Sequence, residues 1–395
     1  MNPGKDQTLS LFPELEQDLA AFRTTGILPA QKIQQLIDVG SITSEANVDD
    51  EQIQPASLDL RLGAVAYEIT ASFLPRATST VLQRVSELVR ETIDLTVPTV
   101  LAAGRVYIVP LMERLSLPAQ VGGRGNPKST MGRLDVFTRL LTDYGEEFDR
   151  IAPGYRGGLY IEIAPQSFSV IVSRGLRMYQ ARFVKGRPRP SDNTLRELND
   201  EGTLVFDEDQ ARDAVIQNGL RISVDLIGDG STDPIGYVSR KDAPPIDLQL
   251  FNHYDPAAYW KPITPVGGRI ALSPTEFYLL VSKERICVKP EFAAELVPFD
   301  PSMGEFRVHY AGFFDPGFGY AANQIGGARA VLEVRVYGLP FLLEDGQIIG
   351  RLVFERLQAI PTKVYGLQIG SSYQNQGLAL SKQFKRPSWA PASRL

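Results

Sequence analysis

Two glutamates sit in similar apolar runs far apart in the chain: Glu162 in Tyr160-Ile161-Glu162-Ile163 and Glu333 in Val331-Leu332-Glu333-Val334. A carboxylate held on a strand can take a proton from water and return it to a leaving group. Strand alternation sets Glu162 on the face opposite Ile161 and Ile163, so an outward, solvated charge is the competing reading. A second constellation is Lys128-Ser129-Thr130-Met131-Gly132-Arg133-Leu134, preceded by Gly122-Gly123-Arg124-Gly125-Asn126-Pro127. Its glycines, hydroxyls and cations suit phosphate, with backbone N–H groups and guanidinium donors sharing the charge; a solvated basic turn is the alternative. Arg150-Ile151-Ala152-Pro153-Gly154-Tyr155 leads through Arg156-Gly157-Gly158 into the Glu162 strand and reads as a hairpin or bulged turn. Near the end, Gly370-Ser371-Ser372-Tyr373-Gln374-Asn375-Gln376-Gly377, followed by Lys382 and Lys385, fits a flap that orders on a ligand, or a disordered tail.

The inventory of other reactive groups excludes several chemistries. Only His253, His309 and Cys287 are available, and a zinc nucleobase deaminase needs a His and two Cys, or three Cys, beside its glutamate. No zinc site is expected. No Gly-x-Ser-x-Gly elbow, dinucleotide fingerprint or Walker loop occurs. The formal charge of −5 (41 cationic against 46 anionic residues) gives no general affinity for nucleic acid, so an anionic ligand needs a local basic cluster. One cysteine, no apolar run of membrane-spanning length, and an acidic first 21 residues without a signal pattern predict a cytoplasmic chain with no membrane partner.

The 34 glycines and 28 prolines punctuate short apolar segments, which predicts a mainly β fold with a few short helices. One helix is expected over residues 29–39, with Ile33, Leu36 and Ile37 on one face and Gly40 as its stop. Alternation at Leu58-Asp59-Leu60-Arg61-Leu62 predicts a half-buried strand. Repetition is the stronger signal. Ser57-Leu58-Asp59-Leu60 recurs as Ser223-Val224-Asp225-Leu226, and Val106-Tyr107-Ile108-Val109 as Phe277-Tyr278-Leu279-Leu280. Pro153-Gly154-Tyr155 recurs as Pro316-Gly317-Phe318, and the two glutamate strands echo each other. The order is kept at a domain-sized spacing, which predicts a tandem duplication. The expected divisions are a leader at 1–25, a first domain at 26–190, a charged linker at 191–218 with one helix over 209–217, a second domain at 219–384, and a mobile tail at 385–395.

Together these motifs resemble the dCTP deaminase family of the dUTPase-like superfamily, in its fused two-domain bacterial form. Ile53 to Gly63 is similar to the family's early strand, and Lys128 to Leu134 to its Arg-Ser-Ser-Leu-Ala-Arg-Leu loop, with Ser129 and Arg133 at the serine and arginine positions. Arg150 to Tyr155 resembles the substrate hairpin Arg-Ile-Asp-Pro-Gly-Trp, and Tyr373 with Gln376 resembles the phosphate-covering tail. The resemblance implies two tandem dUTPase-like distorted β-barrel or jelly-roll (β-clip) domains. It also implies metal-free removal of the 4-amino group of dCTP, with Glu162 as general base and Glu333 as the second-copy candidate. In this reading Ser129 and Arg133 orient the water, the glutamate or the base. Arg124, Lys128, Arg150, Tyr155, Tyr373 and Gln376 contact the substrate, and Mg²⁺ arrives with the triphosphate. Trimer-like self-association follows from the family as well.

The departures from the pattern are specific. Ala152 replaces the hairpin Asp in the first copy, whereas the second keeps Asp315. The second copy's phosphate loop has decayed to Asp300-Pro301-Ser302-Met303-Gly304-Glu305, and the tail's usual Lys is Ser372. Each copy lacks parts the other keeps, so composite sites are expected, with the first copy's loop and glutamate closed by the second copy's tail. A dUTP diphosphatase or bifunctional enzyme, kept open by Asp315, and a catalytically silent nucleotide-binding regulator are the alternatives.

Overall fold

A computed structural model describes residues 25–188, 190–207, 210–211, 213–228, 234–264, 266–297, 306–308, 312–320, 326–366, 377–387 and 389, with backbone alone at 207, 210–211 and 306–308. Among these the chain is mainly β with a few short helices. The helix Ala30–Asp38 buries Ala30, Ile33 and Leu36, as its spacing requires, and Gly40 ends it at φ +72°.

Two sheets enclose the first core. One runs in the order Gly26–Ile27, Arg177–Lys185, Val121–Pro127, Arg150–Ile151, with Leu58–Arg61 also paired to Arg177–Lys185. The other contains Val65–Ile69, Val106–Ser116, Arg156–Pro165 and Val136–Thr142 as consecutive neighbours. The second half repeats the plan with Leu220–Ser223, Ile348–Arg356, Phe292–Val297 and Phe313–Phe314 in one sheet, and Tyr278–Ile286 beside Ala328–Val336 in the other. Register carries the duplication to the single residue. Glu162 stands opposite Ile108 and Glu333 opposite Leu279, so the paired positions are those the sequence echoes align.

Four sequence expectations need correction. The strand Leu58–Arg61 is buried on both faces, because Asp59 is paired with Lys128 and Arg61 with Glu113, 2.9 Å away. The expected linker helix over 209–217 is absent from the described part of that stretch, and Asp192–Asp200 is helical instead. There Ser191 accepts from the Thr194 N–H as N-cap, and Leu195 and Leu198 enter the second core, so the segment is packed. The halves also interpenetrate. Ile246–Asp247 pairs in parallel with Val170–Val172, and Ile246, Leu248, Tyr259 and Trp260 complete the first core. Finally, the segment before the expected mobile tail is anchored by Phe384, 6% exposed among Tyr254, Tyr259 and Trp260. Lys385 N–H donates to Tyr254 O, and Trp389 packs near Tyr237. The leader, apart from Thr25, lies outside the described residues. No described helix is long and apolar enough to cross a membrane.

Candidate active site

The first-copy loop forms one short helix, Ser129–Gly132, entered from Lys128. Lys128 Nζ pairs with Asp59, whose other carboxylate oxygen is buried with no hydrogen-bond partner. Ser129 is exposed and its Oγ accepts from Arg133 Nε at 3.2 Å, one helical turn on. Arg133 is only 2% exposed, and its Nη1 donates to the Ala379 carbonyl at 2.9 Å. The segment crossing this loop is thus the stretch anchored by Phe384.

Alternation in the second-copy strand Ala328–Val336 sorts its side chains between two environments. Ala328, Ala330, Leu332, Val334 and Val336 enter the second half's own core. Val331, Glu333 and Arg335 face the first half. Val331 packs on the first core, and Arg335 Nε donates to both Asp135 oxygens at 3.1 and 3.2 Å. Glu333 lies against the loop so closely that a Cβ on Gly132 would come within 2.5 to 2.6 Å of its carboxyl oxygens. A larger residue there would oblige the Glu333 carboxyl to move. Burial pushes the Glu333 carboxyl up to about 8; the Arg133 guanidinium opposes the rise and the Asp135 carboxylate adds to it.

Glu162 has a different setting, and this corrects the expectation that it shares a site with Ser129 and Arg133 of its own copy. Its face does point away from Ile161 and Ile163, yet it is 1% exposed and not solvated. Arg139, directly across the sheet, donates to Glu162 Oε1 from Nε at 3.0 Å and Nη2 at 2.6 Å, while Ser72 Oγ donates to Oε2 at 2.5 Å. Segment 69–88 roofs this face with Ile69, Phe73, Val81 and Val85, and Phe148 stacks under the Arg139 guanidinium at 3.7 Å. Both carboxylate oxygens are therefore committed within the first half.

A cleft of about 1070 Å³ opens beside the loop. The first half contributes Lys128, Ser129, Asp59, Arg174 and Arg177, and the second contributes Asp315, Lys363, Tyr365 and Lys382. Asp315 is 8% exposed and accepts from the fully buried Arg182 at 3.2 Å. Burial raises its carboxyl and Arg182 pulls it back. Lys382 sits 4.2 Å over the Phe251 ring, lowered by burial and by the nearby Lys128 charge.

Arg133 and Glu333 are buried beside the loop and are not among the residues lining this cleft, and three other expected substrate contacts stand apart from it as well. Arg124 pairs with Glu355, and with Glu295 at 3.4 Å, because its strand abuts the second half. Arg150 is exposed and pairs with Glu147 at 2.6 Å. The Tyr155 hydroxyl donates to Gly158 O at 2.6 Å and accepts from Asp143 N–H at 3.1 Å, closing its own turn. Tyr373, Gln376 and the decayed 300–305 loop lie outside the described residues. Sequence reasoning did not single out Arg139, Ser72, Asp135, Arg335, Arg182 or Lys363. Only the repeat gave a usable signal, by pointing to Glu333 and Asp315 as the second copy's retained groups.

Known proteins match along nearly the same span. The family model described as the N-terminal domain of 2'-deoxycytidine 5'-triphosphate deaminase matches residues 24–187, and that of the C-terminal domain matches 191–384. A crystal structure of 2'-deoxycytidine 5'-triphosphate deaminase from Agrobacterium tumefaciens superposes with a TM-score of 0.80 at 46% identity, covering 85% of this chain and 100% of that one. A dCTP deaminase from Natronomonas pharaonis is 28% identical over 40% of this chain and 80% of its own length. A dUMP-forming dCTP deaminase from Methanosphaera stadtmanae is 28% identical over 35% of this chain and 68% of its own.

Proposed function

Because the chain belongs to the 2'-deoxycytidine 5'-triphosphate deaminase family, we propose that it converts dCTP and water to dUTP and ammonia at a site built jointly by its two halves. The observation that carries this reading is Glu333 of the second half seated against Gly132 and Arg133 of the first. The ionised Glu333 takes a proton from water as the water oxygen bonds to C4 of cytosine. As that bond forms, the C4–N3 double bond opens and Glu333 delivers the proton to N3. The proton of the new C4 hydroxyl then passes by way of Glu333 to the 4-amino nitrogen, the C4–N4 bond breaks, and ammonia leaves the C4=O and N3–H of uracil. Arg133 faces the carboxylate and holds Ser129 at the edge of the loop, where this reading places the water. Lys128, Arg177, Lys363 and Lys382 line the cleft as the cations a triphosphate would meet, the first three paired at present with Asp59, Asp49 and Asp50. The triphosphate brings its own Mg²⁺, held mainly by phosphate oxygens.

The finer architecture, two tandem β-clip barrels, belongs to the same reading and is supported by the matched register of the two glutamate strands. Self-association and a cytoplasmic setting also belong to it. Burial raises the Cys287 thiol to about 12, so the thiol is unreactive. A second reading, release of dUMP, is favoured by one observation: Asp315, the hairpin carboxylate, lines the cleft near Lys128.

Incubation with dCTP and Mg²⁺, followed by assays for ammonia, pyrophosphate and dUMP, separates these readings. Ammonia release is expected to fall by about 10³-fold or more in Glu333→Gln and to survive in Glu162→Gln. The reverse pattern moves the chemistry to the first copy. Nucleotide binding without turnover in the unsubstituted protein would make the chain a regulator.

A further inference from the structure

Glu333 and Arg335 project from the same face of one second-half strand, and Arg133 and Asp135 lie two residues apart on the first-half loop. The four charges meet crosswise. Glu333 faces Arg133, and Arg335 grips Asp135 through Nε at 3.1 and 3.2 Å as well as through Nη2, which also lies 3.0 Å from Ser167 Oγ. Asp135 is fully buried and holds a left-handed backbone at φ +55°, a conformation that Asp and Asn tolerate better than most residues. The pair is also asymmetric between the copies. The first-copy position aligned with Arg335 is Ala164, so this crossed arrangement forms only when the first loop meets the second strand.

We infer that Asp135 and Arg335 are positioning residues for Glu333: they fix the docking of the second-half strand on the first-half loop and balance the charge around the Glu333 carboxyl. The inference rests on the proposed catalytic role of Glu333. The charged groups facing that carboxyl are Arg133 and Asp135 from the loop, with Arg335 beside it on its own strand. Leu279 on the adjacent strand is apolar, and Arg307 holds the register position opposite Arg335. Asp135 adds negative charge near Glu333, and Arg335, paired with Asp135, sets the opposite charge beside it. Removing each partner must therefore move the carboxyl in opposite directions. A neutral Asp135 leaves Arg335 uncompensated and favours the carboxylate, while a neutral Arg335 leaves Asp135 uncompensated and disfavours it.

The test measures kcat/KM for ammonia release from dCTP against pH, in the full chain and in Asp135→Asn and Arg335→Gln. The ascending limb is expected to move to lower pH by roughly 1 unit in Asp135→Asn and to higher pH by a similar amount in Arg335→Gln. At pH 7 Arg335→Gln then keeps a smaller fraction of its own plateau. Weakened docking alone would lower both plateaus and leave both limbs in place, or move them together; either outcome overturns the inference. The pH dependence of unfolding gives a second readout that does not require Glu333 to be catalytic. The window in which the Glu333 proton is lost is expected to shift in the same two opposite directions. It should vanish in Glu333→Gln, and equal windows in the two variants would overturn the inference. Turnover that survives in Glu333→Gln, by contrast, strikes the catalytic reading itself.

Discussion

Two glutamates at equivalent positions of a repeated strand have opposite freedom, and the difference is made by what covers each. Glu162 is held by three hydrogen bonds from Arg139 and Ser72, whereas Glu333 is pressed against a glycine and a guanidinium. Its carboxyl is raised from 4.5 to about 8, so the folded state binds the Glu333 proton more tightly than the unfolded chain. Stability from that proton is complete below about pH 4.5 and is lost as pH rises through about 8. Chemical denaturation across this range is expected to show that decline in the unsubstituted protein and a flatter profile in Glu333→Gln; identical profiles would contradict the assignment. Base catalysis needs the ionised form, so kcat/KM is expected to climb with pH through about 8. Gly132→Ala adds a methyl group that the Glu333 carboxyl must move to admit, and is expected to lower kcat about tenfold or more, read by the ammonia assay. A variant with full kcat would show that the close approach is unimportant.

At the scale of elements, alternation correctly set Glu162 off the first core, and the 3.6-residue spacing gave the helix Ala30–Asp38. What covers the opposite face of a strand was not legible, because that depends on contacts between segments distant in sequence. Segment 69–88 covers Glu162, whereas the equivalent face of Ala328–Val336 is covered by the first-half loop. Buried charge hid in the same way: Asp59 and Arg61 read as the polar side of a half-buried strand until Lys128 and Glu113 are seen to pair with them. Arg182 is the corresponding device at the cleft. Fully buried on the first-half strand Arg177–Lys185, it donates to Ala294 O at 3.1 Å and to Asp315 at 3.2 Å. Arg182→Met leaves Asp315 without its cation and is expected to cost about 3–5 kcal/mol in denaturant unfolding. An unchanged midpoint would show that the pair is not coupled to the fold.

For the whole molecule, the repeat made the duplication legible but not the interpenetration of its halves. The first core is finished by Trp260, Tyr259, Ile246 and Phe384 from the second half, so either half alone would expose apolar surface. Residues 24–187 expressed alone are expected to lack a cooperative unfolding transition, and a sharp one would contradict this. Phe384→Ala is expected to destabilise the full chain by about 3–5 kcal/mol, because the ring fills an aromatic cluster beneath the segment that crosses the Arg133 loop. The same interlocking builds the site, since neither half supplies both a retained loop and a glutamate that faces it. A crystal structure of Glu333→Gln with dCTP and Mg²⁺ tests this most directly, because the substrate should remain uncleaved. The cytosine ring is expected between the substituted side chain at position 333, Ser129 and Arg133, with the phosphates toward Lys128 and Lys382; a ring seated beside Glu162 and Arg139 would contradict the account.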